Sequence, residues 1–413
     1  MKNNLTQIKQ CRISGSKNLI SVLNLGSQVL TGVFPKNRQD PITTGPLELV
    51  WCPDSGLLQL HHSYDLGEMY GMNYGYRSGL NQTMVQHLRR KVDSLLRICP
   101  LYSGDIVLDI GSNDATLLSA YSVSGLNRIG IDPTGNKFSA FYGNGIELIP
   151  DFFTAEAYKF KFGNKKAKLI TSIAMFYDLE SPSCFVSDIA EVLDDEGIWH
   201  FEQSYMPTML RMNSYDTVCH EHLEYYSLRV IKDLVEKHDL MVVDVQMNAV
   251  NGGSFAVTVA KKHSTYKPNN TIINWLLGQE DRMGLHTPKP YRDFEDRVYR
   301  HRDDLTRLIR GLRADNKRVV GYGASTKGNV LLQFCGFTEK DIECIAEVNS
   351  DKFGSYTPGT HIPILSESEV HAMKPDYMLV LPWHFRDSIV RRESNYLTSG
   401  GKLIFPMPEI EII

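Results

Sequence analysis

The sequence predicts an α/β protein in three parts: a small N-terminal module over residues 1–75, a central Rossmann-like domain over 76–290, and a second, smaller Rossmann-like domain over 291–413. Three observations carry that expectation. Residues 106–132 read as strand, glycine turn, helix start, strand and acid. Strand candidates then alternate with helical patterns to residue 259. A further strand enters a glycine turn at 317–324 and starts the pattern again.

Residues 106–110 (Ile-Val-Leu-Asp-Ile) are rich in β-branched side chains and read as a buried parallel strand. Gly111 permits a tight turn, and Thr116, Leu117 and Leu118 open a helical pattern. Residues 127–132 read as a second strand ending in the Asp132 carboxylate. This layout cradles a nucleoside and grips its ribose hydroxyls. A dinucleotide loop needs three glycines so that its backbone can approach a pyrophosphate. The run Gly111-Ser112-Asn113-Asp114-Ala115 has one. It resembles motif I of the class I S-adenosylmethionine methyltransferases, with an ordinary βαβ turn as the alternative. That resemblance implies a donor without phosphate, touching Gly111, Asn113 and, through its ribose, Asp132. Asp109 and Ser112 are supporting candidates, and Phe176, in the strand-end stretch 174–177, is expected to line the same crevice.

The first unit is turn-rich, with strand candidates at 20–23 and 57–60. A helix is expected over 83–99, from the spacing of Met84, Val85, Leu88, Val92, Leu95, Leu96 and Ile98. Later strands are expected at 168–173, 197–202, 241–246 and 254–259, the last two joined by a turn at Asn251-Gly252-Gly253. The charged stretch 291–316 reads as a solvated linking helix. Beyond the strand at 317–324, a helix starts at Lys327, and strands follow at 341–348, 377–381 and 402–405. Two crevices suit a two-substrate transferase, one for the donor and one to help hold the acceptor.

Composition narrows the class. The chain has 413 residues, 42% of them hydrophobic, enough for two or three domains. A net charge of −4 without a long basic run argues against a nucleic-acid partner. No apolar stretch approaches the ~20 residues that span a bilayer, so no membrane partner is expected. The first residues lack the apolar centre of a signal peptide, and seven scattered cysteines suggest a reducing cytoplasm.

The densest polar cluster is residues 215–226, centred on His220-Glu221-His222. A zinc helix places two histidines four apart on one face. These two are two apart and would diverge, so acid–base catalysis is the favoured use, with a polar capping loop as the alternative. Tyr64, Tyr70, Tyr74 and Tyr76 gather ahead of Arg77, Ser78, Asn81 and His87, either as packing or as a phenolic lid over a sugar. Cys11 with Ser14, and Cys52 with Ser55, would be a zinc signature if both serines were cysteines. A serine hydroxyl is a poor zinc ligand at neutral pH, so no metal is expected.

Taken together these motifs resemble, end to end, the sugar C-methyltransferases that act on nucleotide-linked 4-keto-deoxyhexoses. The resemblance runs through the two Cys-x-x pairs, Tyr74-x-Tyr76-x-Ser78, the Gly111 loop, His220-Glu221-His222-x-x-Tyr225, Asn251-Gly252-Gly253-Ser254 and Gly321-Tyr322-Gly323-Ala324-x-x-Lys327-Gly328-Asn329, and ends at Trp383. It implies a zinc-type N-terminal module, a central S-adenosylmethionine domain and a C-terminal Rossmann-like domain, with the sugar nucleotide between them. It implies His222 as the base beside the C4 ketone, Glu221 as its helper, and Tyr76 and His220 on the acceptor side. Tyr74, Ser78, Asn251, Gly323, Asn329 and Lys327 would meet the sugar nucleotide, Lys327 at its diphosphate. C3 is the favoured carbon. The chain departs from the family pattern at Ser14, Ser55, Cys219, Ala256 and Ser325-Thr326. A keto-sugar epimerase or isomerase on the same scaffold, or a sugar O-methyltransferase, is the alternative.

Overall fold

A computed structural model describes residues 5–64, 69, 77–143 and 145–413. Tyr70, Tyr74 and Tyr76 lie outside the described residues. The expected α/β class is what the chain adopts, built on three main sheets.

The central sheet has seven strands. Their spatial order is Leu240–Asn248, Ser254–Lys261, Leu193–Ser204, Ala167–Ile173, Ile106–Ile110, Asn127–Ile131 and Ile146–Ile149. Five strands run parallel, and Ser254–Lys261 pairs antiparallel with both its neighbours. All five residues of Ile106–Ile110 are buried, as expected for a parallel strand covered on both faces. The order reverses around Ile106–Ile110, and ligands bind beyond the strand ends at such a switch point.

One sequence expectation fails next to that point. The pattern after Gly111 yields a single 3₁₀ turn, Leu118–Ala120, rather than a long helix. Asn113 and Ala115 have positive φ, 49° and 58°, which no α-helix accepts. The Asn113 amide is held by Asp132 and the Asp114 carboxylate by the Gly79 amide, so the loop is drawn out of a helical path.

The N-terminal sheet runs Glu224–Tyr225, Leu58–Leu60, Thr44–Trp51 and Ile20–Val29. Thr44–Trp51 was not expected from the pattern, because Gly45 and Pro46 interrupt its start. The two-residue strand Glu224–Tyr225 stitches the His220–His222 segment into this sheet. The opposite edge is covered by the third unit. Val29 donates its amide to the Gln333 side chain at 2.9 Å, and Tyr299 donates to the Asn24 carbonyl at 2.8 Å.

The third sheet runs Ile364–Ser366, Ile345–Glu347, Val319–Tyr322, Tyr377–Val380, Lys402–Phe405 and Glu411–Ile412, parallel except for the last pair. The linking helix, Lys289–Ala314, is less solvated than its charge suggests. Tyr291, Phe294, Val298, His301, Leu305 and Ile309 are buried along one face at three- and four-residue spacing. Trp51 of the N-terminal sheet stacks on Tyr291, with ring centroids 4.9 Å apart.

Glu280 ties the preceding helix, Asn270–Met283, to the central domain. Its buried carboxylate accepts from Tyr205 Oη (2.6 Å), the Leu228 amide (2.6 Å) and the Arg229 amide (3.0 Å) at the start of the helix Leu228–Glu236. Glu280→Ala leaves these donors without an acceptor and should cost about 2–4 kcal/mol in urea unfolding, with Glu280→Gln recovering part of it. An unchanged midpoint for the alanine variant would refute this role.

Candidate active site

Two cavities meet at the C-terminal ends of the central strands. The first is lined by Gly111, Asn113, Asp132, Thr134, Phe152, Phe153, Met175, Leu179 and Phe185, with Asp178 and Glu180. No lysine or arginine lines it among the described residues, and three carboxylates do. Aromatic and aliphatic walls with an acidic rim suit a flat base joined to a cationic tail.

The loop geometry explains the shape. Gly111 has φ of 73°, and a β-carbon there would come within 3.0 Å of Met175 Cγ, closing the floor. Asp132 Oδ2 accepts the Asn113 amide at 2.7 Å, while Oδ1 accepts the Thr134 amide and hydroxyl at 2.6 and 2.5 Å. A carboxylate offers about four acceptor sites, so Asp132 braces the loop through three hydrogen bonds and has acceptor capacity left over. Asn113 Oδ1 accepts the Ser78 amide at 3.0 Å, bringing the start of the helical region onto the same cavity. These residues fit S-adenosylmethionine.

The second cavity adjoins the first through Ser78, Gly111, Ile173, Ala174 and Asp178, which line both. Ala174 sits at this junction with φ of 56°, a strained conformation for a residue with a β-carbon. The far wall carries Tyr177, Cys219, Glu221, His222, Thr326 and Lys327. It draws on the central domain, on the loop stitched into the N-terminal sheet and on the first turn of the third unit's helix Thr326–Phe334.

His222 presents its imidazole to this second cavity. Its Nδ1–H donates to the Thr217 carbonyl at 2.9 Å, which leaves the lone pair on Nε2. The Tyr177 ring meets it edge-on, with centroids 4.3 Å apart. Burial, aided by the charge of Lys327, lowers its pKa to about 4, so the imidazole is neutral at physiological pH. Burial raises Glu221, whose Oε2 has no hydrogen-bond partner among the described residues. Burial and Glu221 together hold Cys219 well above the usual thiol range, so it faces that carboxyl as a neutral donor. Asp109 accepts from Thr171 Oγ1 at 2.6 Å and is pushed up to about 7 by burial. Ser112 shares a hydrogen bond with Tyr142 Oη at 2.7 Å; both Asp109 and Ser112 line the second cavity.

Several expected site residues are placed elsewhere. Phe176 does not line the donor crevice. It is fully buried among Phe185, Trp199, Phe201 and Tyr226, stacked on Tyr226 at 5.2 Å, because the 3₁₀ turn Phe176–Asp178 rotates it under the sheet while Met175 and Asp178 face the cavities. His220 diverges from His222, as the two-residue spacing required, but away from any acceptor. It packs on Tyr64 at 4.6 Å with Nε2 3.4 Å from the Gly45 carbonyl. Tyr64 is no lid either, since its hydroxyl donates to the Pro46 carbonyl. Asn329 is fully buried and donates to the Thr31 carbonyl at 2.7 Å, holding the third unit to the N-terminal module rather than meeting a ligand. Gly323 has φ of 80°, and a β-carbon there would strike Pro382 at 2.7 Å; its turn is packed, and Glu347 accepts the Ala324 amide beside it. Asn251 lies in the 3₁₀ turn Val250–Gly252, which packs against Trp383 through Gly252.

The sequence assigns no role to Asp216 or Trp383, although both fall within its motifs. Trp383 Nε1 donates to buried Asp216 at 2.7 Å, one residue before the carbonyl that orients His222. Asp216 stood inside the dense polar cluster, but nothing in the sequence paired it with a tryptophan 167 positions away.

The N-terminal Cys/Ser quartet converges without the chemistry of a zinc site. Cys11 Sγ lies 3.2 Å from Ser55 Oγ, and Ser14 Oγ lies 3.7 Å from Cys52 Sγ, as two thiol–hydroxyl contacts. Two hydroxyls in a four-ligand set do not fit zinc. His61 and His62 gather instead with Glu48, their ligand atoms all within 4.8 Å, and His61 Nδ1 lies 2.8 Å from Glu48 Oε2.

Three family profiles match the chain in succession. One described as a zinc-binding domain matches residues 11–70, a methyltransferase domain matches 83–245, and a C-methyltransferase C-terminal domain matches 249–408. The C-methyltransferase NovU of Streptomyces niveus is 32% identical over 416 residues, covering 100% of this chain and 99% of that protein. Among solved structures, magnesium protoporphyrin IX methyltransferase of Synechocystis PCC 6803 with bound S-adenosylmethionine is 14% identical, covering 43% of this chain and 81% of that one, with a TM-score of 0.32. An S-adenosylmethionine-dependent methyltransferase of Clostridium acetobutylicum is 11% identical, covering 43% and 92%, with a TM-score of 0.33. These two likenesses are too distant to bear on the chemistry.

Two outcomes are expected. In an NMR titration of the histidine rings, His222 should stay neutral at about pH 6, where an ordinary histidine is largely protonated, and titrate only as pH falls toward 4. A midpoint above 6 would contradict the enclosed, charge-flanked setting. Ser14→Cys/Ser55→Cys should bind about one zinc and melt higher in its presence, whereas Ser14→Cys alone should not; elemental analysis with thermal unfolding distinguishes them.

Proposed function

The chain belongs to the C-methyltransferase family and is a methyltransferase using S-adenosylmethionine; from that premise we propose that it methylates a nucleotide-linked 4-keto-deoxyhexose at the carbon beside its ketone, C3 in preference to C5. The observation that carries this reading is the pair of adjoining cavities, one suited to the donor and one walled by a neutral, oriented imidazole. The donor, when bound, supplies an electrophilic methyl group on a sulfonium.

Within the first cavity Asp132 takes a ribose hydroxyl, while Asp178 and Glu180 offset the positive charge. Across the ridge of Gly111 and Ala174, His222 Nε2 removes the proton alpha to the ketone, a transfer the Thr217 carbonyl prepares by fixing the tautomer. Glu221 assists with its raised carboxyl, hydrogen-bonded to Cys219. Tyr177 holds the imidazole plane and, with Leu88, Met84 and Leu117, keeps the cavity apolar enough to exclude bulk water. Ser78 lines both cavities and is placed to position the sugar between them. Most of the acceleration would come from proximity of the two ligands and from stabilising the enolate.

The test is mass spectrometry of the purified protein with S-adenosylmethionine and a panel of nucleotide-linked 4-keto-deoxyhexoses in deuterated water. Gain of one methyl on carbon with S-adenosylhomocysteine is the expected result. Deuterium uptake without methyl would instead favour the epimerase or isomerase, and a methyl on oxygen by NMR the O-methyltransferase. His222→Ala should lose at least about 10²-fold in methyl transfer and in deuterium uptake while binding the donor normally by calorimetry. Full turnover in that variant would refute the base assignment.

A further inference from the structure

Resting on the methyltransfer reading above, we propose that Lys327, contributed by the third unit, is the cation that holds the enolate oxygen formed from the acceptor ketone, and not a partner of the substrate diphosphate.

Its position supports this. Lys327 sits in the first turn of the helix Thr326–Phe334 and lines the same cavity as His222, Glu221 and Cys219. Ser325 caps that helix, accepting the Gly328 amide at 3.0 Å, so the first turn is held rigidly at the cavity wall. Among the described residues lining this cavity, Lys327 is the one lysine or arginine, against the carboxyls of Asp109, Asp178 and Glu221. A diphosphate carries about two charges and is ordinarily gripped by several donors, often arginine forks. One enclosed ammonium among three carboxyls suits a neutral keto-sugar that gains a single charge during reaction. The diphosphate then lies toward the mouth, outside this wall.

Asp216 acts on Lys327 from the turn Tyr215–Thr217, where one oxygen of its buried carboxyl accepts from Trp383 Nε1. Cys219, Glu221 and His222 face the cavity from the following loop, and Tyr177 and Asp178 from the turn after Ala167–Ile173, while His384, in the turn after Tyr377–Val380, feels the Lys327 charge without lining the cavity. His222 and His384 are both lowered by burial and then by the Lys327 charge, to about 4 and about 3, which places that charge close to the imidazole. Burial also lowers Lys327 itself, opposed by Asp216 and Cys219.

The step balances without another reagent. The alpha C–H bond breaks, its proton goes to His222 Nε2, and its electron pair forms the C=C bond of the enolate. The carbonyl π pair moves onto oxygen, where the ammonium meets it. The C=C pair then forms the bond to the donor methyl group as the S–CH3 bond breaks with its pair passing to sulfur, giving S-adenosylhomocysteine, and the pair on oxygen returns to re-form the ketone. The cation lowers the basicity of His222 in the resting enzyme. It offsets that loss when the enolate appears, because the charge acts on the product of the transfer and not on the neutral ketone.

The experiment uses the full-length protein, Lys327→Met and Lys327→Arg, with a thymidine-diphosphate-linked 4-keto-6-deoxyhexose as probe. Deuterium uptake at the alpha carbon, methyl transfer, donor affinity and the His222 ring titration are measured together. Lys327→Met should lose about 10²–10³-fold in kcat for uptake and for transfer with little change in KM, as when an oxyanion donor is removed. Its donor affinity should be kept, and the His222 midpoint should rise once the neighbouring charge is gone. Lys327→Arg should keep the cation and recover part of the rate. A rise in KM with kcat intact, or an unmoved His222 midpoint, would overturn the assignment while leaving methyl transfer standing. Absence of uptake and transfer in the unsubstituted protein would instead overturn the methyltransfer reading, and this assignment with it.

Discussion

A buried three-residue turn, Tyr215–Thr217, is the constraint on which the rest of the site depends. Tyr215 donates to His301 Nδ1 at 3.0 Å, which fixes the turn to the linking helix. Asp216 accepts from Trp383, which fixes it to the third unit. The Thr217 carbonyl then accepts His222 Nδ1–H. One short segment therefore couples the placement of a whole sheet to the tautomer of one imidazole. A shift of the third unit would be felt at the base before it was felt at the donor loop. Hydrogen-bond networks of this kind specify geometry because a broken bond leaves a buried polar atom without a partner.

Charge is distributed in the same economical way. Among the described residues the first cavity is lined by carboxyls and no lysine or arginine, while the second carries Lys327 from the helix Thr326–Phe334. The two cavities share Gly111 and Ala174, so groups of opposite sign lie close together.

The N-terminal module shows how a fold can outlast the ligands that its pattern suggests. The quartet at Cys11, Ser14, Cys52 and Ser55 still converges, through two thiol–hydroxyl contacts. Support comes from packing around it. Arg12 donates to the Leu60 carbonyl at 2.7 Å and to Ser63 Oγ at 2.9 Å, lacing the first loop to the sheet. Asn329, Gln333 and Tyr299 hold the module's far edge from the third unit. The module in turn positions His222, because the strand Glu224–Tyr225 belongs to its sheet.

The strand at 106–110, the Gly111 turn, the Asp132 carboxylate, the charged linking helix and the second glycine turn were all legible from local sequence. Period, turn chemistry and β-branching act over a few residues and are written in order along the chain. His222 could be singled out for the same reason, as an imidazole beside a carboxyl. What local sequence could not supply is orientation. Phe176 and Met175 are neighbours, yet one is core and the other cavity wall, and His220 and His222 part in the same way. Asp216 finds Trp383, and Lys327 reaches the cavity of His222, only through tertiary packing. Local sequence supplied the strands and turns that build the main sheets, and the chemistry of the side chains they carry. The folded structure decided which side chains face one another, because burial and partner geometry depend on contacts hundreds of residues apart.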